Sequence, residues 1–312
     1  MIDSEISSRL SAPSITPLPA PGGSITDISA HGAWFAEYAA YERSLCERDP
    51  SPMSLKLRHT ELVTAAARGI TESEDFPPPM ARACLLAAQY HDLGRFEQYR
   101  LFGTFRDRDS VNHAELSAFL IEKYGLLTKE AYVARAVLGA VRLHNVYRLP
   151  EDLPSDVRVA ARLVRDADKL DILRVMDEEL SGSGDCPRTV VLNQPDDPSR
   201  FSQKVIGCAL RGEVASYDDL TSVNDFRLLL GTWIYGMNFD ASRKRFAGDG
   251  HAKSGPRNGH NTRSHTRRNA CFLRLKSENS PPRRPLFRAA WALVYPCPAW
   301  PRLWPTKAAS AL

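Results

Sequence analysis

The sequence predicts an all-α fold. Apolar residues recur every three or four positions across residues 54–180, as they do on one face of amphipathic helices. No alternating apolar and polar pattern is long enough for a sheet. Helix start and stop signals agree, with Ser54 at one start, Pro77–Pro79 before another and Gly125 at an end. We therefore predict one helical bundle with an appendage at each end of the chain.

The first appendage, residues 1–30, is predicted to be a disordered and flexible segment because it contains a run of proline and serine between Ser11 and Gly23. Its start lacks the basic residues and the continuous apolar stretch of a signal peptide. No run approaches the about 18 apolar residues of a membrane span. The six cysteines form no CxxC pair, which argues against a zinc ribbon or a disulfide framework. These features predict a cytoplasmic protein.

Six helices are predicted after this segment. The first, near residues 33–41, carries Trp34, Phe35, Tyr38 and Tyr41, and an aromatic stripe of this kind is typical of core packing. The other five are predicted at residues 54–69, 79–92, 112–124, 129–145 and 155–180.

Each of these five helices has a histidine or an aspartate on or near its apolar face. Burying one such group alone would be costly, whereas a shared metal cluster would remove that cost. The five residues are His59, His91, His113, His144 and Asp168. Their apolar neighbours at helical spacing are Leu55, Leu62, Val63 and Ala66 around His59; Cys84, Ala87 and Ala88 before His91; Leu116, Leu120 and Ile121 after His113, whose helix Asn112 is expected to cap; Val137, Ala140 and Val141 before His144; and Ala161, Val164, Ile172 and Val175 around Asp168.

The order of these residues resembles the HD-domain superfamily of metal-dependent phosphohydrolases. The run His91-Asp92-Leu93-Gly94-Arg95 stands at the centre of the resemblance, which covers about residues 31–240. His59, His91-Asp92 and Asp168 match the minimal motif of the superfamily, and His113 and His144 match the additional histidines of its two-metal members. The resemblance implies an all-α HD-domain bundle, which we place at residues 31–184.

The resemblance also implies a ligand set. One metal ion would be held by His59, His91, Asp92 and Asp168, and a second by Asp92, His113 and His144, with Asp92 bridging the two. A mixture of imidazoles and carboxylates suits Mn, Fe, Co, Ni or Zn, whereas Mg prefers oxygen ligands. The expected cofactor is therefore a pair of divalent transition-metal ions of unspecified identity.

Several cations near the motif are suited to contacts with phosphate. Arg95 follows the motif directly, and Lys169 is adjacent to Asp168. We select these two, together with Asp92, as candidate catalytic residues. Three further arginines are weaker candidates, since most arginines are solvated surface groups: Arg100, Arg106 and Arg142.

Two aspartates near Asp168 require separate interpretations. Asp171 follows Asp168 by three residues, so it is expected near the same helix face, where it can orient a histidine. Asp166 is rotated by roughly 200° from Asp168, and it is expected to face solvent or to pair with an arginine. The resemblance favours Asp168 as the ligand, because the family's ligand usually follows an alanine, as in Ala167-Asp168.

Residues 185–242 are predicted to form two accessory helices packed on the HD domain. The break Ser181-Gly182-Ser183-Gly184 before them is typical of a flexible linker, or alternatively of a mobile loop near the site entrance. The second predicted helix has an apolar face, which consists of Phe226, Leu229, Leu230, Trp233, Ile234 and Met237.

The last segment, residues 243–312, differs in composition from the rest. It carries fifteen lysines and arginines against two acidic residues, so the modest +4 of the whole chain conceals an acidic domain joined to a basic tail. Arginines interleaved with Trp291, Trp300 and Trp304 can contact nucleic acid, the only route by which we expect the protein to bind it. The preferred hypothesis is a disordered tail produced by a shifted reading frame after about Arg245, because the composition changes abruptly there.

The leading functional prediction is a phosphohydrolase with a two-metal centre, in which metal-bound hydroxide attacks a nucleotide or another small phosphate ester. The Gly-Tyr-Pro signature of a cyclic-dinucleotide branch of the superfamily is absent after Arg95. Two alternatives stay open. The ligands also resemble those of myo-inositol oxygenase, a di-iron enzyme, and a non-catalytic protein that senses nucleotides is the second alternative. No membrane partner is expected.

Overall fold

The computed structural model describes residues 4–10, 12–13, 15–18, 24–181, 194–197 and 199–248 of the chain. Within these ranges there are eleven α-helices and no strand. The prediction of an all-α fold is therefore confirmed. The described residues fall into two compact units, of which one contains the residues up to Ile172 with Asn238–Ser242, and the other contains Leu173–Met237 with the residues from Arg243 onward.

The first unit contains seven complete helices and the first part of an eighth. They are α1 (Ser4–Arg9), α2 (Ser29–Ser44), α3 (Ser51–Ser73), α4 (Pro78–Tyr90), α5 (Gly94–Phe102), α6 (His113–Lys123), α7 (Ala131–Leu143) and α8 (Ser155–Ser181), with short 3-10 helices at Asp107–Asp109 and Thr128–Glu130. The five helices predicted between residues 54 and 180 are all present, with bounds that differ by a few residues. Helix α5 was not predicted, and α1 lies inside the segment that we expected to be disordered, where Leu10 is buried.

An aromatic core joins α2 to α5. Trp34, Phe35 and Tyr38 of α2 are buried, as their helical spacing predicted. The Phe96 ring of α5 meets Phe35 and Tyr38 edge-on, with ring centroids 5.5 and 6.0 Å apart. This packing holds the helix that follows the His91-Asp92 pair against the rest of the unit.

Helix α3 buries a face that includes Val63, Ala66 and Ile70. The expectation that Leu55 shares this face is wrong, because its side chain is 49% exposed. The buried residues of α3 also include Thr60 and Ala67, so the buried face is centred to one side of His59. At about 100° per residue, Leu55 lies on the other side of His59 and is turned outward.

Gly94 permits a close approach between α5 and α6. A Cβ atom at this position would lie 2.8 Å from His113 O and 2.8 Å from Ser117 N, closer than real Cβ contacts. The Gly94 amide also donates a 2.8 Å hydrogen bond to Ser117 Oγ. The absence of a side chain at Gly94 therefore brings the residues after Asp92 close to the start of the His113 helix.

The second unit contains the rest of α8, then α9 (Gln203–Arg211), α10 (Val223–Thr232) and most of α11 (Asp240–Gly248), with 3-10 helices at Tyr217–Asp219 and Trp233–Gly236. Its predicted apolar face is largely confirmed, since Phe226, Leu229, Leu230, Trp233 and Met237 are buried while Ile234 is half-buried. Packing of this segment on the HD domain stays a prediction.

The basic tail is described only at its beginning. Residues Arg243–Gly248 belong to α11, which differs from the expectation of disorder from residue 243. The reading-frame hypothesis and the nucleic-acid alternative concern residues 249–312, which lie outside the described residues, as does most of the Ser-Gly break. None of the helices in the described part of the chain combines the length and the hydropathy of a membrane span.

Candidate metal centre

Five helices of the first unit direct polar side chains to one place. His59 lies in the middle of α3, and Asp168 lies in α8. His91 and His144 immediately follow the last residues of α4 and α7, while His113 is the first residue of α6, whose amides Ala114 N and Glu115 N are capped by the Asn112 side chain. The structure thus brings all the predicted ligands together, although they are far apart in the sequence.

The ligand atoms form two groups, and within each group they lie within 4.8 Å of one another. The first group consists of His59, His91 and Asp168, and the second consists of Asp92, His113 and His144. The imidazoles are buried, with exposures between 0 and 7%, so the groups are shielded from solvent. Each group has the nitrogen and oxygen donors that suit a divalent transition metal.

Asp92 belongs to the second group but also faces the imidazoles of the first. Its Oδ2 atom is 3.8 Å from His59 Nε2 and 3.7 Å from His91 Nε2. Its Oδ1 atom is 3.4 Å from His113 Nε2 and 3.7 Å from His144 Nε2. One carboxylate therefore presents one oxygen to each pair of imidazoles.

Asp168 completes the first group. Its Oδ1 atom is 3.1 Å from His59 Nε2 and 3.9 Å from His91 Nε2. The Asp168 side chain is 19% exposed, compared with 4% for Asp92. Asp168 therefore stands at the more accessible edge of the centre.

All four imidazoles are anchored through Nδ1, which turns Nε2 toward the centre. The Nδ1 atoms of His91 and His144 lie 2.8 and 2.7 Å from backbone carbonyl oxygens of the preceding helices, to which they donate. The other two bond to carboxylates, His59 to Asp171 Oδ2 at 2.7 Å and His113 to Asp107 Oδ2 at 2.7 Å. A neutral imidazole that donates through Nδ1 has a lone pair on Nε2, as metal binding requires.

The Nε2 atoms of the centre need a partner that the protein does not supply. In the described structure, His91 Nε2 is buried and has no hydrogen-bond partner, and buried His59 Nε2 lies 3.1 Å from Asp168 Oδ1 without forming a well-aligned hydrogen bond. His113 Nε2 and His144 Nε2 lie 3.0 Å apart, so two lone pairs face each other if both rings are neutral. Buried polar atoms are rarely left in this state. The donor set therefore fits divalent metal ions.

The protonation states of His91 and His113 agree with this fit. Burial lowers the pKa of His91 to about 4, and burial together with the Arg95 cation lowers that of His113 to about 4. Burial and Lys56 oppose protonation of His59, but the carboxylates of Asp168 and Asp171 outweigh them and raise its pKa. At neutral pH, His91 and His113 are therefore neutral imidazoles.

Asp92 is ionised for a related reason. Burial opposes ionisation of its carboxyl group, but the Lys56 ammonium and the neighbouring imidazoles outweigh burial and hold the Asp92 pKa well below its usual range. The central carboxylate is thus negatively charged and available to cations.

Arg95 is the one predicted phosphate-binding cation for which the described structure gives a direct contact with the centre. Its Nε atom is 3.5 Å from Asp92 Oδ1, and this Nε is buried without a hydrogen-bond partner. Its Nη1 atom donates to Phe105 O, to Gln98 Oε1 at 2.9 Å and to Asp107 Oδ1 at 3.1 Å. The guanidinium is therefore held in a fixed position beside the second group.

The other predicted cations are placed differently. Lys169 is half-buried beside Asp168 in α8, and burial and the Arg165 cation lower its pKa. Arg100 pairs with Glu42 and Glu97, Arg106 with Asp109, and Arg142 with Glu115 and Glu122. These three arginines are engaged by acidic residues outside the two ligand groups. The catalytic role of Lys169 stays a prediction.

Two residues of the centre were missed from the sequence. Lys56 Nζ lies 2.7 Å from Asp92 Oδ2, and Asp107 anchors His113 as described above. A signal was present for Lys56, which precedes His59 by three residues and so shares its side of α3. Asp107 begins the three-residue 3-10 helix before α6, which is too short for a periodic pattern to give its orientation.

Of the two predictions for the aspartates near Asp168, the structure agrees with one and contradicts the other. Asp171 orients His59, as its position one turn after Asp168 suggested. The expectation that Asp166 faces solvent or pairs with an arginine is wrong, because Asp166 is fully buried. It accepts hydrogen bonds from Asn238 N and Nδ2, both at 2.8 Å, and from Phe239 N at 3.1 Å. The face of α8 opposite Asp168 is thus covered by Asn238 and Phe239, which lie 72 and 73 positions after Asp166 in the chain.

Comparison with known families agrees with this geometry. The family model described as HD domain matches residues 57–173, a range that contains every residue of the two ligand groups. Neither a curated protein nor a solved structure matches the chain. HD domains bind divalent metals, and most of the family are metal-dependent hydrolases. The chain therefore contains an HD domain at residues 57–173.

Proposed function

We propose that this protein is a metal-dependent phosphohydrolase that acts on a nucleotide or another small phosphate ester. The observation that carries the proposal is the position of Asp92, whose two oxygens face two separate groups of ligands. This arrangement favours a centre of two metal ions, with His59, His91 and Asp168 holding one ion, His113 and His144 the other, and Asp92 contacting both. When bound, such ions supply Lewis acidity to a phosphoryl group and to the water that attacks it.

The residues around the ligands have supporting roles. Asp171 holds the His59 ring in place, and Asp107 holds the His113 ring. The two imidazoles therefore need to move little for their Nε2 atoms to bind a metal. Arg95, fixed by Phe105 O and Asp107, places a permanent positive charge beside Asp92, where it can balance the charge of a phosphate group. Lys169 is a second candidate for this role through its position beside Asp168.

The attacking group is proposed to be water. Among the described cysteines, Cys84 is closest in sequence to His91, but it is fully buried, and burial raises the pKa of its thiol. A buried neutral thiol is a poor nucleophile. This favours direct hydrolysis over a covalent phosphoryl intermediate on Cys84.

The test is phosphate release from a panel of nucleotides and sugar phosphates, with the purified full chain and added Mn or Co. We expect metal-dependent release, which the Asp92→Ala variant loses together with much of its bound metal. Asp152→Ala, at an exposed loop position, serves as the matched control and should retain both. Circular dichroism checks that the Asp92 variant is folded.

Absence of release across the panel would contradict the proposal. The same protein would then be loaded with iron and assayed for oxygen uptake, which separates the oxygenase alternative from a non-catalytic binding protein. Full activity and metal content in Asp92→Ala would contradict the two-metal arrangement itself.

A further inference from the structure

Lys56 forms the shortest described contact with the central carboxylate. Its Nζ atom donates to Asp92 Oδ2 at 2.7 Å. This oxygen is the one that faces His59 and His91, so the ammonium group and the first ligand group converge on the same atom. A metal ion held by the first group therefore competes with Lys56 for Asp92 Oδ2.

The surroundings allow Lys56 to move more readily than Asp92. The Lys56 side chain is 21% exposed, whereas that of Asp92 is 4% exposed. A lysine has a flexible stem and three donors but no acceptor, so its ammonium group needs another anionic partner once the carboxylate oxygen is taken. A nearby divalent cation would also repel the ammonium group from its present position.

The carboxylates of Asp107 and Asp168 already have partners. Asp107 binds His113, Arg95 and Gln98, and Asp168 lies 3.1 Å from His59. On its other side, Lys56 Nζ is 5.8 Å from the centroid of the Phe105 ring, and Arg95 Cζ is also 5.8 Å from it. Phe105 thus has two cations beside it, both of which contact Asp92. Lys56 and Arg95 together place two positive charges at the edge of the centre, an arrangement that suits an anion with several oxygens.

We propose that Lys56 is a substrate-binding residue that bonds to Asp92 in the metal-free protein and transfers to the phosphate oxygens of the substrate when a metal ion takes Asp92 Oδ2. The identity of the anion rests on the proposed phosphohydrolase function. The exchange at Asp92 rests on the described contacts alone. Lys56 thereby compensates the buried charge of Asp92 before the metal arrives and compensates the phosphate charge afterwards.

The first experiment measures affinity for Mn in the absence of substrate, by competition with a fluorescent chelator. Lys56→Met removes the competitor for Asp92 Oδ2, so we expect Mn to bind about tenfold more tightly. The Tm of the metal-free variant should fall below that of the wild type, because Asp92 loses its counter-charge, and Mn should remove this difference. Arg58→Met is the matched control, since Arg58 lies in the same helix, is 62% exposed and pairs with Glu61.

Weaker or unchanged Mn binding by Lys56→Met would overturn the inference. So would an equal loss of Tm in the metal-free and Mn-loaded forms, which indicates that Lys56 stabilises the fold in both states. Unlike enzymatic activity, these readouts do not depend on knowing the substrate.

The second experiment measures binding of inorganic phosphate to the Mn-loaded protein by calorimetry. Lys56→Met should weaken it by about tenfold or more, Lys56→Arg should retain part of the affinity, and Arg58→Met should match the wild type. Unchanged phosphate affinity in Lys56→Met would overturn the inference even if the wild type hydrolyses phosphate esters. Conversely, phosphate binding through Lys56 in a protein that hydrolyses no ester of the panel would contradict the proposed function and support the inference.

Discussion

His59 Nδ1 lies 2.7 Å from Asp171 Oδ2, and this hydrogen bond connects the middle of α3 to α8. It fixes the imidazole ring so that Nε2 faces Asp92 and Asp168. Both groups are buried, with side-chain exposures of 5 and 3%. The bond therefore makes the orientation of a ligand depend on a residue that is not itself a ligand.

Replacement of Asp171 by alanine is predicted to weaken metal binding by about 10- to 100-fold, because the His59 ring loses the acceptor that orients it. Asp152→Ala again serves as an exposed control. Chelator competition with Mn measures the affinity. An Asp171→Ala protein with wild-type affinity would show that packing alone orients the His59 ring.

Asp107→Ala is predicted to affect the second group selectively. Asp107 anchors His113 at 2.7 Å and also bonds Arg95 and Gln98, so its loss frees a ligand and a cation together. We expect metal content after dialysis to fall from about two ions toward one per chain. Asp109→Ala is a close control, because Asp109 lies in the same short 3-10 helix and is 46% exposed. Equal metal content in the two variants, measured by elemental analysis, would refute this prediction.

Asp166→Ala is predicted to destabilise the fold without changing metal affinity. The Asp166 carboxylate accepts three hydrogen bonds from Asn238 and Phe239 in a fully buried position, and the variant leaves these donors unpaired. The free energy of unfolding should fall by about 2–4 kcal/mol. Asp156→Ala, which removes a partly exposed partner of Arg135, should cost less than about 1 kcal/mol. Urea denaturation compares the two variants, and similar losses would contradict the assigned role of Asp166.

His31 is predicted to contribute a pH-dependent part of the stability. Its imidazole is 5% exposed and lies 2.8 Å from Tyr90 OH, and burial together with the Arg82 cation lowers its pKa to about 4. Because the folded-state pKa is below the unfolded value of 6.5, the unfolded chain binds the proton first as the pH falls. The contribution is therefore fully present above pH 6.5 and is lost as the pH falls toward 4, by about 3 kcal/mol at most.

His31→Gln isolates this contribution, since glutamine does not titrate. The stability difference between wild type and variant should shrink as the pH falls from about 7 to about 4.5. Urea denaturation in the presence of a chelator measures both proteins, so the titration of the metal ligands cancels in the comparison. A difference that stays constant over this range would show that His31 does not titrate in the folded protein.

Local sequence patterns predicted those parts of this molecule that depend on neighbours within one helix. The periodicity of apolar residues located the five ligand-bearing helices, and the burial of Trp34, Phe35 and Tyr38 followed from their spacing. The resemblance to the HD domain, confirmed for residues 57–173, supplied the ligand order, which no local pattern contains. Helix α5 was missed because its first residue is Gly94 and its sequence mixes charged and aromatic residues without a clear apolar face.

The remaining features depend on contacts between distant residues. The rotation of Asp166 away from Asp168 was predicted correctly, but the conclusion that it faces solvent was wrong because residues 238 and 239 cover it. Lys56 and Asp107 were missed for the same reason, since their partners Asp92 and His113 lie on other elements. Helical periodicity gives the direction of a side chain around its own axis, whereas its partner is decided by tertiary packing.

Because the Asp92 carboxylate faces both ligand groups, metal binding to one group affects metal binding to the other. A cation bound to Asp92 Oδ2 changes the charge and the position of Oδ1, which faces His113 and His144. A metal ion in one ligand group therefore alters the metal affinity of the other group. Such coupling is reciprocal by thermodynamic necessity, whichever group is filled first. The two halves of the centre should therefore load cooperatively or anticooperatively, and a binding isotherm that deviates from independent sites is the expected signature.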